Sequence, residues 1–341
     1  ASGRSTARVS GSPGEAASGP QLIMPGLTMA SWPVRRRLAR FTLAVLLVSS
    51  VGCADAVAPA PTTRAPDPLP QPTTTDGIFV AGADGSAPVA VVTGARAAWS
   101  PDGRRIAFQR TGDVYVVDAD GRNETRISAG KSPNWSPDGR RIVFAGADGI
   151  TVVNLDGSGA RTLIRHDFRD DTYKPWDLGV DKPAWSPDGA LIAFEHLGDG
   201  DVQPAQAFVM DSSGANPRRV TQLPNGTRYA ESDPSWSPDG SKLAYWSYGY
   251  GIATNSRNGG VPTSVHADFS GGVVYGAKPA WRRDGTAIAF NRREPAAPTP
   301  CSVWMASLTE RGASLLIPDA CDAVWSPDGS RIAFTRKRSG P

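Results

Sequence analysis

A tryptophan, a tight turn and a short apolar run occur together six times in this chain. The first copy is Trp99-Ser-Pro-Asp-Gly-Arg-Arg-Ile-Ala-Phe108, and the others begin at Trp135, Trp185, Trp236, Trp281 and Trp325. Successive tryptophans lie 36, 50, 51, 45 and 44 residues apart, a period at which self-similarity means a solenoid, a propeller or an array. In such folds each unit buries its apolar surface only against its neighbours, so every other feature has to fit six equivalent units.

In Ser100-Pro101-Asp102-Gly103 the proline presets φ for the second turn position, the aspartate bonds back to the backbone, and the glycine accepts positive φ. That is a hairpin turn. Beyond it Ile106 and Phe108 share one side with the small Ala107 between them, which suits a strand packed on both faces. The pair recurs as Ile142/Phe144, Ile192/Phe194, Leu243/Tyr245, Ile288/Phe290 and Ile332/Phe334. Asp113 to Gly121 and Glu124 to Ser128 read as two more strands joined at an Asp-Gly turn, with similar pairs around Asp156-Gly157 and Ser213-Gly214. Each unit thus holds four antiparallel strands, A to D, and the expected fold is an all-β, six-bladed propeller. One tryptophan per blade at a fixed offset is what packing between blades demands. The Asp-Gly sequences are hairpin turns, since Asp118-Ala-Asp120-Gly121-Arg-Asn123 lacks the terminal glutamate and spacing of an EF-hand.

The two ends of the repeat region argue for closure. Gly77 to Val80 and Pro88 to Val92 flank Asp84-Gly85 and read as strands C and D with no A or B ahead of them, whereas Trp325 is followed by only an A and a B strand. The fragments sum to one blade, so the N-terminal strands are expected to pair with the C-terminal ones. Closure removes the open sheet edges that invite aggregation.

Trp-Ser-Pro-Asp-Gly with a following Ile-Ala-Phe resembles the repeat of TolB-type six-bladed propellers, over roughly residues 77 to 337. The fifth copy departs, because Trp281-Arg282-Arg283-Asp284-Gly285 lacks the Ser-Pro pair. The resemblance implies a propeller and, since such proteins commonly serve as protein-binding platforms, a binding role. It lies in the structural repeat, so the family's partner-binding residues do not carry over.

Residues 1–28 are rich in Gly, Ser, Ala and Pro without periodicity and are expected to be untranslated in the cell or disordered. From Met29 a basic stretch, Arg35 to Arg37 and Arg40, precedes the apolar Phe41 to Val48 and then Ser49-Ser-Val-Gly-Cys53. That is an export signal over 29–53, too short for a stable membrane span, and its end resembles a bacterial lipoprotein box with Ser50 where leucine is more usual. Lipidation of Cys53 and membrane anchoring are the expectation. Residues 54–76, with six prolines from Pro59 to Pro72 among threonines, cannot bury a core and read as a tether, and 338–341 are a short tail. The cysteine count of three is odd; lipidation accounts for Cys53, leaving Cys301 and Cys321 to form a disulfide where strands C and D of blade five lie side by side. A net charge of +3, spread through the chain, gives no basic stripe for nucleic acid.

In a four-stranded blade the A–B and C–D turns share one face and the B–C and D–A connections the other. The A–B turns are nearly invariant, whereas the connections opposite vary widely, and variable loops on a rigid scaffold are where binding sits. The ligand face is therefore assigned to the B–C and D–A side of blades two to five. Its richest segment offers Asp167, Arg169, Asp170, Tyr173, Lys174, Trp176 and Asp177, aromatic anchors among charges of both signs; His196, Asp199, Asp201, Arg228, Tyr229, Glu231, Tyr275 and Lys278 are further candidates. The expected partner is an envelope protein or peptide bound by a monomer without a cofactor. Two alternatives stay open: a sugar or small ligand in the central channel, served by Asp199, Asp201 and Trp176, and a propeller lyase or hydrolase. Against catalysis, the chain has no Gly-x-Ser-x-Gly elbow. The histidines, His166, His196 and His266, fall on different blades, too separated to share a metal.

Overall fold

The computed structural model describes residues 76–168, 179–197, 205–220, 231–247, 250–267, 277–292, 301–310 and 312–337. These hold 24 strands. β1 (Asp76–Gly82) and β2 (Val89–Thr93) come first. Blade one is β3 (Ala95–Trp99), β4 (Arg105–Arg110), β5 (Asp113–Asp118) and β6 (Thr125–Ala129). Blade two is β7 (Lys131–Trp135), β8 (Arg141–Ala145), β9 (Gly149–Asn154) and β10 (Arg161–Arg165). Blade three is β11 (Val180–Trp185), β12 (Leu191–His196), β13 (Gln206–Asp211) and β14 (Arg218–Arg219). Blade four is β15 (Glu231–Trp236), β16 (Lys242–Ser247), β17 (Gly251–Ser256) and β18 (Thr263–His266). Blade five is β19 (Ala280–Trp281), β20 (Ala287–Arg292), β21 (Ser302–Ser307) and β22 (Ala313–Ile317). β23 (Cys321–Trp325) and β24 (Arg331–Lys337) end the series.

The sixth sheet runs β2-β1-β24-β23, so the N-terminal strands complete the blade that the C-terminal strands begin. β1 pairs with β24 along its whole length, from Asp76 opposite Lys337 to Gly82 opposite Arg331. The expected closure is what the chain does. Inner strands of successive blades touch in the order one to six and back to one.

Each A–B turn is built by its own sequence. Gly103 donates to the Ser100 carbonyl at 2.9 Å, the Ser100 hydroxyl donates to Asp102 Oδ1 at 2.6 Å, and the amide of Arg105 donates to that hydroxyl at 2.8 Å. The turn glycine has φ between 67° and 73° in all six copies, a region where only glycine is free of strain. In blade five Arg282 takes the serine's place: its guanidinium Nε donates to Asp284 at 2.9 and 3.0 Å, and Gly285 still donates to the Arg282 carbonyl at 2.9 Å. The turn that departs in sequence is kept in geometry.

The core is six inter-blade layers. One joins Ile78 and Ala333 to Trp99, Ile106 and Phe108; the next joins Ala98 and Val114 to Trp135, Ile142 and Phe144, and the pattern continues around the ring. The tryptophan is the link. Nε1 of Trp99, Trp135, Trp236 and Trp281 donates to the carbonyl of Val324, Ala98, Ala184 and Ser235 on the preceding blade, at 2.9 to 3.2 Å. Where the sixth residue after the tryptophan is arginine, its guanidinium lies on the next blade's indole: Arg105 on Trp135 at 5.0 Å, Arg141 on Trp185 at 4.9 Å and Arg331 on Trp99 at 4.6 Å.

Candidate functional site

Cys301 and Cys321 form a disulfide, with Cα atoms 5.6 Å apart. Cys301 immediately precedes β21 and Cys321 opens β23, so the bond ties blade five to blade six.

Of the candidates on the B–C and D–A face, Asp167 is exposed and lies 3.5 Å from Arg165. His196 ends β12 fully buried, its Nε2 3.2 Å from the Phe168 carbonyl, with the Phe168 and Phe208 rings at 5.8 Å; it packs beneath the face rather than on it. His166 Nδ1 accepts from the Val180 amide at 3.2 Å, so the ring is the tautomer whose Nε2–H donates to the Gly146 carbonyl at 3.0 Å. His266 lies against Phe290 at 5.2 Å. Glu231 opens β15. Arg169, Asp170, Tyr173, Lys174, Trp176, Asp177, Asp199, Asp201, Arg228, Tyr229, Tyr275 and the lipidation candidate Cys53 lie outside the described residues.

Lys278 leads into the centre of the ring. The residue three before each tryptophan has a left-handed backbone: Arg96 (φ 55°), Ser132 (54°), Lys182 (50°), Asp233 (57°), Lys278 (37°) and Asp322 (59°). In five blades the pairing register of strand A slips at this point, between residues four and one before the tryptophan. A bulge re-aims side chains, and Arg96, Ser132, Lys182 and Asp233, at the bulges of blades one to four, line the central chamber together with Lys278. Holding a non-glycine residue in this region costs on the order of 1 kcal/mol or more, and the surrounding contacts hold it. Gln109, Glu195 and Asn291, each just after the phenylalanine of strand B, accept the amides of Ser132, Asp233 and Asp322 from the next blade at 2.9, 3.3 and 2.8 Å.

The side chains form an ionic hub. Lys182 Nζ sits 2.9 Å from Glu195 and 3.1 Å from Asp233. Lys131 reaches Asp181 at 2.8 Å, and Lys278 lies 4.0 Å from Asp322, which also accepts from Asn291 at 3.0 Å. Arg96 of blade one comes within 3.6 Å of Asp233 of blade four, two blades that face each other across a ring of six. Burial pushes the Glu195 carboxyl above the usual range, against the pull of Lys182. It also pushes the Lys278 amine down. Asp322 stays below the usual range, burial being outweighed by Lys278 and Arg96. Burial likewise opposes the charge of Lys182, yet Asp233 and Glu195 hold its pKa up.

Between this hub and the A–B turns lies a chamber of about 480 Å³. Its walls are the small and apolar residues that follow the hub positions, such as Ala98, Pro133, Ala184 and Val324, and its rim is Pro101, Pro137, Pro187, Pro327 and Arg283 from the turns. Of the six hub positions only Lys278 is among the sequence candidates, because the turn motif follows each tryptophan whereas the hub residue precedes it. The signal stood behind it: in four of six copies the third residue before the tryptophan is followed by proline, as Ser132-Pro133, Lys182-Pro183, Asp233-Pro234 and Lys278-Pro279. Proline cannot join a ladder, so inside an apparent strand it marks a bulge.

No protein-family model matches the chain. Over 166 residues it is 31% identical to the Uncharacterized peptidase YuxL of Bacillus subtilis (strain 168), a match that takes in 47% of this chain and 23% of that protein. The chain therefore spans less than a quarter of this curated relative. Among solved structures it is similar to the putative TolB of Agrobacterium tumefaciens, with a TM-score of 0.59 at 19% identity, covering 78% of this chain and 99% of that one. A chain in the crystal structure of a nidogen/laminin complex gives 0.51 at 11% identity, over 78% and 100%. With the six blades and their closing strands, these likenesses establish the fold: the chain is a TolB-like six-bladed β-propeller.

Proposed function

We propose that the protein is a non-catalytic binding propeller on the extracytoplasmic side of a bacterial envelope, anchored by a lipid on Cys53, with an envelope protein or peptide received on the B–C and D–A face. The observation that carries this reading is the inequality of the two faces. On one, the A–B turns satisfy their own polar groups, serine to aspartate to backbone, in a form repeated blade after blade. On the other side of the blades, the connections differ widely in length along the sequence, and the one between β10 and β11 includes Tyr173 and Trp176 among its charges. The Cys301–Cys321 disulfide supports an oxidising compartment. The TolB-like fold supports a platform by analogy alone. The peptidase in the Bacillus protein's name belongs to a chain of which this one spans 23%.

Photo-crosslinking in the native envelope tests the reading, with a probe at Tyr173 or Trp176 and a control probe in the Asp138-Gly139 turn. One discrete protein adduct from the loop face alone is the expected result. Adducts from neither probe, or the same adduct from both, would remove the platform and turn the search to glycans and catalysis.

A further inference from the structure

We infer that the chamber between the hub and the turn rim is a receptor for a small organic monocarboxylate, taken by the Arg96 guanidinium. The charges that line the chamber are Arg96, Lys182, Lys278 and Arg283 against Asp233 alone, so its surface is cationic. Glu195 stands behind Lys182, its side chain 4% exposed and paired at 2.9 Å. Asp181 is taken up by Lys131, and Asp322 by Asn291 and Lys278.

Arg283 stands exposed at the turn rim, and of the three cations in the hub Arg96 is the one left for a ligand. Lys182 is held between two carboxylates within hydrogen-bond distance, and Lys278 Nζ is screened on all sides. The Arg96 side chain is 31% exposed, and its 3.6 Å approach to Asp233 is an ion pair longer than a hydrogen bond. Among the described residues no hydrogen bond ends on its guanidinium, which has five N–H donors in a fork that matches a carboxylate. A bound carboxylate would gain two parallel charge-assisted bonds where the hub gives the 3.6 Å pair with Asp233 and the longer-range pull of Asp322, Asp181 and Glu195. Asp233 beside the site and Glu195 and Asp322 behind it oppose a second negative charge, so a monoanion fits and a dianion does not. The ligand's apolar body would lie on the alanine and proline wall. This site opens at the turn rim, and the loop-face reading neither supports it nor depends on it.

The test is a fluorine NMR titration of the full chain with 4-fluorobenzoate, with 4-fluorobenzamide and inorganic phosphate as controls. Saturable binding of the acid and none of either control is expected. Arg96→Gln should weaken binding about tenfold, and Asp233→Asn, which removes the competing carboxylate, should tighten it about threefold. Those opposite signs separate a binding role from a packing role, which would move both variants the same way. Absence of saturable binding at millimolar acid, equal binding of the amide, preference for phosphate, or weaker binding by Asp233→Asn would overturn the inference. Should Arg96→Gln fail to fold, the sign of the Asp233→Asn change decides alone.

Discussion

A serine hydroxyl and an aspartate carboxylate hold most of the A–B turns, and their titration makes that hold measurable. The carboxyls of Asp188, Asp239 and Asp328 are each lowered from 3.8 to about 2, first by the serine hydroxyl that donates to them. A depressed folded value means that the contribution is whole above about pH 4 and is lost as pH falls toward 2. Ser237→Ala should therefore raise the Asp239 pKa and flatten the acid limb of stability, as carbon-detected NMR and acid unfolding would show; an unmoved Asp239 would refute the hydroxyl's role. The tryptophans are equivalent in sequence but not in environment. Trp135 is buried, donates to Ala98 and lies under Arg105, whereas Trp325 is half-buried with an indole nitrogen that has no hydrogen-bond partner among the described residues. In urea unfolding Trp135→Phe should cost about 1 kcal/mol more than Trp325→Phe, the worth of one net hydrogen bond. The turns and tryptophans could be read from the sequence because their chemistry is local: the proline, aspartate and glycine that make the turn are adjacent. Arg96 and Asp233 lie 137 positions apart in the chain, and their meeting depends on ring closure, which no local pattern encodes.

At the scale of the blade, neighbours are joined by apolar layers, by the hub, and at one interface by a covalent bond. Lys182 separates two carboxylates whose side chains are 4% and 5% exposed. Lys182→Met leaves Glu195 without a cation and Asp233 with only the 3.6 Å approach of Arg96, and should destabilise the fold by about 3–5 kcal/mol at neutral pH. Because the Glu195 carboxyl already lies above its usual range, proton uptake should relieve part of that loss, so the variant's deficit should shrink as pH falls through the range where that carboxyl titrates. A deficit independent of pH would place the loss in packing. The disulfide closes a separation of 20 residues, and Cys321→Ser should cost about 3 kcal/mol on the chain-entropy account. Thermal unfolding with and without reductant checks it: the reductant should lower the midpoint of the parent and leave the variant unmoved. The Cys301–Cys321 pairing was legible from the order of strands. Its function as a tie from blade five to blade six was not, because the strand boundary at Cys321 falls where a D strand gives way to the next A strand.

At the scale of the whole molecule, both faces and the hub exist only if the ring is closed. Arg96 and Asp233 stand opposite each other because the two-plus-two blade, β23 and β24 with β1 and β2, completes the circle. Closure was foreseen because strand counts at the two ends summed to one blade. A ligand in the central channel was an open alternative, but the chamber's charged wall was not foreseen, since the chamber is assembled from three to five residues of every blade. Native-state hydrogen exchange of β1 is the measurement that tests closure most directly. The account predicts that amides of Ile78 to Ala81, set against Thr335 to Ile332 of β24, with Ile78 buried against Trp99 and Ala81 against Phe334, exchange as slowly as the central strands of blades one to five, through global unfolding. Fast local exchange in β1 while those strands stay protected would mean an open ring, and would contradict the hub, the chamber and the division of labour between the faces.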